Sequence, residues 1–131
     1  MITYKQFIFV ILFCFSSFLG IAQSNNPTNK EAAALLKKAG QSFLQLDTKN
    51  SLDFAQKALV IATKNDNELL AAKAYNIIGL NFEEFTDYQQ AIEYYNKGLV
   101  LANKVNNDTV KGWLNNNLGN VYCYRKIDFH K

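Results

Sequence analysis

Between Ala74 and Ala102 the chain reads AYNIIGLNFEEFTDYQQAIEYYNKGLVLA, two helical patterns separated by a short polar break. Ala71, Ala74, Tyr75, Ile78, Phe82 and Phe85 recur at steps of three and four, the spacing of one apolar stripe on a helix. Tyr88, Ala91, Ile92, Tyr95, Leu99 and Ala102 form a second stripe. Thr86-Asp87 lies between them, where a side-chain oxygen can accept from the unpaired N–H groups that open a helix. Two amphipathic helices joined this tightly lie antiparallel, and each keeps apolar surface that one hairpin cannot bury. The pattern therefore requires further hairpins stacked on this one.

The sequence supplies them. Forty residues after Gly79, Gly119 follows Leu118 and precedes Tyr122 by three; thirty-nine before it, Gly40 follows Ala39 and precedes Phe43 by three. The segment DFAQKALVIATKNDN at 53–67 aligns without a gap over EYYNKGLVLANKVNN at 93–107. Small residues recur where helix backbones are expected to approach closely: Gly40, Gly79 and Gly119 on the first helices, Ser51 and Ala91 on the second. Ala58 and Gly98 recur where a second helix should meet the following repeat. Five helices are expected, at about 29–46, 50–65, 67–84, 87–105 and 108–125, with no sheet.

The pattern resembles the tetratricopeptide repeat, in which an aromatic residue precedes Leu-Gly and Tyr, and Ala, Phe and a small residue follow on a second helix. Tyr75, Ile78-Gly79, Phe82, Ala91, Tyr95 and Gly98 occupy those places in the central repeat. The first repeat offers Leu36, Ala39-Gly40, Phe43, Ser51, Ala55 and Ala58, which requires a turn one residue shorter. In the third, Asn115 replaces the aromatic, and Asp128-Phe129 should open a second helix one residue late. The period of about 40, against the usual ~34, is similar to the longer-helix type of kinesin light chains and bacterial sensory proteins. The resemblance implies an all-α right-handed superhelix over residues 30–131, with repeats at about 30–67, 68–107 and an incomplete 108–131. Its last first-helix, lacking a partner, should leave Leu114, Leu118, Val121 and Tyr122 partly uncovered and promote self-association.

Ahead of the repeats, MITYKQFIFVILFCFSSFLGIAQ has a short basic start at Lys5, an apolar run over Phe7–Leu19 and small residues at Gly20 and Ala22. That is the layout of a secretion signal over residues 1–22, and the run is short of the roughly 20 residues a membrane span needs. An uncleaved anchor is the alternative. Gln23–Asn29 holds the only proline and no apolar period, and reads as a linker. Cleavage would leave Cys123 alone, so no intramolecular disulfide would support the repeats.

Charge and chemistry narrow the function. The chain carries 14 basic and 11 acidic residues without a basic stripe, which argues against nucleic acid. His130 is the only histidine, so no two-histidine metal site can form; Glu83 and Glu84 are adjacent and point apart on a helix. There is no phosphate-binding glycine loop. No catalytic residue, metal, cofactor or small-molecule substrate is expected.

What remains is a surface. In tetratricopeptide arrays the first helices line a concave groove that holds a peptide or a partner helix. By that resemblance the groove residues are Lys37, Gln41 and Leu44, then Lys73, Asn76, Leu80 and Glu83, then Trp113, Asn116, Asn120 and Tyr124. Trp113 also lies off the Val110, Leu114, Leu118, Val121 stripe, so its own hairpin does not bury it. Trp113 and Asn117 stand where a carboxylate-gripping array would have Lys and Arg, so that specificity does not carry over. Two readings follow: a non-catalytic module outside the cytoplasm that binds protein or peptide, or the input end of a larger signalling protein such as a sensor histidine kinase or transcriptional regulator.

Overall fold

The computed structural model describes residues 27–128, and among these every regular element is a helix. They are α1 (Pro27–Leu44), α2 (Thr48–Lys64), α3 (Glu68–Glu84), α4 (Tyr88–Lys104) and α5 (Asp108–Asp128). The signal or anchor expected over residues 1–22 lies outside the described residues. Part of the expected linker is helical: α1 begins at Pro27, whose missing N–H costs nothing in a first turn.

One turn, used four times, sets the architecture. Each of α2, α3 and α4 is 17 residues long. Each helix gives way to the next through a residue at positive φ: Leu46 (62°), Asp66 (52°), Thr86 (57°) and Asn106 (52°). After that residue the N–H of Asp47, Asn67, Asp87 or Asn107 reaches back to the carbonyl of Ser42, Ala62, Phe82 or Ala102, at 2.8–3.0 Å. This closes the preceding helix as a Schellman motif. The same four side chains then accept from the N–H groups of Asn50, Leu70, Gln90 and Val110, so a single residue ends one helix and caps the next. In the Thr86-Asp87 break, Asp87 is the cap and Thr86 is the left-handed residue.

The positive-φ residues recur at one constant interval, and the repeat-one turn is therefore no shorter than the others. The first repeat consequently matches the second at a uniform offset of forty, with Ala39, not Gly40, in the place of Gly79. Burial agrees: Ala39 is fully buried, whereas a Cβ added at Gly40 would meet nothing within 4 Å. Gly119 is likewise open among the described residues, while a Cβ at Gly79 would sit 2.4 Å from the Tyr95 ring. Close approach is required at Gly79 alone of the three. Gly98 meets the following repeat as expected, its would-be Cβ lying 3.0 Å from Leu114.

Each helix packs against the next, and α1 also touches α3 and α3 touches α5, while α2 and α4 do not meet. Pairs such as Lys104–Glu68 and Asn65–Thr28 join the end of one helix to the start of its neighbour, the mark of antiparallel hairpins. The buried core lies in three clusters, around Leu36, Ala58 and Ala74, around Ala39, Ala55 and Ile78, and around Ala91, Tyr95, Leu114 and Val121, with partly buried Leu59, Ile77 and Phe82 packed between them.

The structure corrects the expectation for α5. Val110, Leu114, Leu118 and Val121 are buried against α3 and α4, so the stripe does not stand half-uncovered. Tyr122 is the exception, at 53% exposed. The helix runs on through Asp128, so the turn expected before Asp128 is absent and the helix does not stop at 125. Phe85, assigned to the α3 stripe, caps that helix and is half exposed.

Candidate interaction surface

Because α3 touches both α1 and α5, side chains on the shared outer side of these helices form one surface. Position by position, Lys73, Asn76 and Leu80 on α3 match Trp113, Asn116 and Asn120 on α5 at the uniform offset of forty. Trp113 is 48% exposed, Asn116, Asn120 and Tyr124 are exposed, and Lys73 and Leu80 are half-buried. Tyr124 stacks on Tyr88 with ring centroids 6.3 Å apart, which braces it from α4.

On α1 the match fails. Lys37 and Gln41 correspond to Ile77 and Asn81, which face the preceding hairpin, and the true counterparts of Lys73, Asn76 and Leu80 are Ala33, Leu36 and Gly40. Lys37 and Gln41 are exposed because no described helix covers that side of α1. Leu44 is also exposed, at the end of the helix. The stripe that reads Val110, Leu114, Leu118, Val121 on α5 reads Lys30, Ala34, Lys38, Gln41 on α1, a face suited to water. One of its members, Lys38, lies over the Phe54 ring at 5.8 Å.

Asn76 is 9% exposed and is no free groove residue: its Oδ1 accepts from Asn117 Nδ2 at 2.9 Å, tying α3 to α5. In the first interface the same two places hold Leu36 and Ile77, which pack with Ala58 and Ala74. The floor of the surface is thus apolar between α1 and α3 and amide-lined between α3 and α5. Asn117 was not among the expected contacts. Its forty-residue match to Ile77, a residue at a helix-helix contact, is the signal that would have found it.

Glu83 is also occupied. The Tyr95 hydroxyl, carried by a ring that is 0% exposed, donates to its carboxylate. Burial raises the Glu83 carboxyl above its ordinary value, the Tyr95 hydrogen bond opposes that, and neighbouring Glu84 adds to it. Burial, together with Glu83, holds the Tyr95 phenol well above the ordinary phenol range. A second buried pair joins α2 to α3: Asn81 Nδ2 donates to Ser51 Oγ at 2.9 Å and to the Ile77 carbonyl at 2.8 Å. These polar groups hold helices together.

Elsewhere, a cleft of about 420 Å³ between α1 and α2 is floored by Leu35, Val60 and Ile61. Leu35 stands there at the place Tyr75 takes in the second hairpin, and the Lys57–Asp53 ion pair, at 2.7 Å, lies on its lip. Among the described residues no three His, Cys, Asp or Glu side chains gather as a metal ion would require, and Cys123 is exposed as a free thiol. No described helix is long and apolar enough to cross a membrane. The chain matches no protein-family model, and no curated protein is similar to it.

Proposed function

We propose that this chain is a non-catalytic interaction module of the tetratricopeptide type, exported from the cytoplasm, which holds a protein or peptide segment along the surface of α1, α3 and α5. A right-handed superhelix would make that surface concave, and stacked hairpins in which each first helix touches the next one support that shape. One observation carries the reading: Trp113, Asn116 and Asn120 stand exposed on a helix whose buried apolar packing comes from Val110, Leu114, Leu118 and Val121. An indole left half in water, beside side chains that donate and accept at once, is the composition of a binding surface.

The test is a pair of substitutions read two ways. Trp113→Ala and Asn116→Ala should weaken capture of a peptide ligand by about tenfold or more, roughly 1.4 kcal/mol. The thermal midpoint should move little, since neither side chain packs in the core. If Trp113→Ala instead unfolds α5, the indole is structural and the surface is not a binding site.

A further inference from the structure

Given that surface, the segment it takes can be specified more closely. From Gly112 to Tyr124 the sequence GWLNNNLGNVYCY contains no charged residue, yet most of it is exposed. Exposed helical surface is ordinarily where Lys, Glu and Arg collect; here their places are taken by Trp113, Asn115, Asn116, Asn120, Tyr122 and Tyr124. Large rigid aromatics interleaved with Asn and Gly are the residues that recognise protein surfaces by shape and adaptable hydrogen bonds, at small conformational-entropy cost.

The neighbouring contact points the same way. Asn76, more than nine-tenths buried, spends its Oδ1 on Asn117 Nδ2, which leaves the Asn76 Nδ2 donors and the Asn117 Oδ1 acceptor uncommitted. A primary amide with one donor and one acceptor to offer is complementary to a peptide bond, which presents one carbonyl and one N–H. Of the charges that α3 brings to this wall, Glu83 is bonded to Tyr95, Lys73 is half-buried, and Glu84, the counterpart of Tyr124 at the offset of forty, is exposed. At the α5 end of the wall, between Gly112 and Tyr124, a ligand carrying essential charges would find no counter-charge to meet it.

We propose, on the reading that this is a peptide-binding surface, that the α3–α5 wall takes an uncharged, internal, extended segment through its backbone amides. An apolar side chain of that segment lies on Trp113, and no terminal carboxylate or phosphate is needed. The apolar floor at Leu36 and Ile77 gives the segment a polarity: backbone-read at the α5 end, side-chain-read at the α1 end.

The experiment is selection of random short peptides, displayed with both ends blocked, on the immobilised full chain, followed by synthesis of the recovered sequences. The recovered peptides should share no required charged residue. Their Kd should change less than about twofold between about 0.1 and 1 M salt, a range over which the screening length falls from ~10 to ~3 Å. Binding should fall by about tenfold or more in Trp113→Ala and in the double variant Asn76→Leu/Asn117→Ile. That double variant copies the pair already buried in the first interface, so its melting temperature should be kept. Peptides that share an acidic or basic residue and weaken tenfold with salt, but still need Trp113, overturn the uncharged-segment proposal and leave the surface intact. No recovered peptides, or peptides indifferent to both variants, overturn the proposal and the binding surface together.

Discussion

The Tyr95 ring lies against the bare backbone of Gly79, and its hydroxyl passes on to donate to Glu83, three residues before the positive-φ turn at Thr86. One side chain of α4 therefore crosses the whole thickness of its hairpin, which only a missing Cβ on α3 allows. In the first hairpin the same places hold Ala39 and Ala55, both fully buried, so the space is shared there between two small residues. Gly79→Ala puts a methyl carbon 2.4 Å from a ring that has nowhere to go. It should destabilise by about 1–3 kcal/mol, the usual cost of overpacking a core. Gly40→Ala, where the added carbon meets nothing, should stabilise by up to ~1 kcal/mol through helix propensity. Urea midpoints of the two variants decide between them: if both move the same way, the close approach at Gly79 is not real.

Glu83 makes the stability of this hairpin depend on pH. Its carboxyl is raised in the folded state by burial, against the Tyr95 hydrogen bond, so folding favours the protonated form. The stabilisation from protonation is then complete below the ordinary carboxylate range, about pH 4, and is lost as pH rises through the raised folded value. Glu83→Gln keeps an acceptor for the Tyr95 hydroxyl and removes the buried charge. It should melt higher than the parent at neutral pH, and the difference should vanish on acidification. A difference that instead grows in acid would mean that the carboxylate is stabilising and that the Tyr95 bond outweighs burial.

Much of this was legible beforehand, for a definite reason. Helix number, the four breaks and the α5 packing stripe all follow from apolar spacing and from Asp or Asn at 47, 67, 87 and 107. Those are local signals, and the structure keeps them. On α1 the sequence misleads by one residue, because Gly40 looks like the signature glycine and a 3.6-residue period tolerates a shift of one on a short stripe. Burial of Ala39 and the constant interval between turns settle the register. The polar pairs leave no local signal, for a different reason. Ser51 with Asn81, Asn76 with Asn117 and Tyr95 with Glu83 join different helices, and nothing local marks an Asn as a strut instead of a solvated residue.

The Ser51–Asn81 pair can be separated into its parts. At the equivalent places of the second interface stand Ala91 and Val121, buried and apolar. Asn81 Oδ1 is buried without a partner, so the pair is not fully satisfied. Ser51→Ala removes one acceptor and should cost about 1–3 kcal/mol by leaving a buried amide N–H short of a partner. Ser51→Ala with Asn81→Val reproduces the second interface and should recover that loss or exceed the parent in stability, since replacing both members of a buried polar pair is near neutral. Additive effects in this double-mutant cycle would show that the two side chains do not act as a pair.

The four turns supply the last prediction, because they are one conformation written with four different residues. Asp66 and Asn106 suit positive φ, since a short polar side chain tolerates the left-handed region. Leu46 and Thr86 do not: a γ-branched and a β-branched side chain each crowd the following carbonyl, at a cost of roughly 1–2 kcal/mol per residue. Leu46 is also 81% exposed, so no burial offsets that cost. Leu46→Asn and Thr86→Asn should therefore each stabilise the chain, by about 1 kcal/mol. Gly, with no Cβ, would also relieve the strain, and a freer unfolded chain offsets part of that gain. The reverse change, Asn106→Thr, should cost a similar amount at the turn that leads into α5. The two turns share no hydrogen-bond partner, so Leu46→Asn and Thr86→Asn should add within about 0.5 kcal/mol. Chemical denaturation of the single and double variants measures this. Should Thr86→Asn destabilise, the Thr86 hydroxyl bond to the Phe85 carbonyl, at 2.7 Å, is worth more than the strain it accompanies.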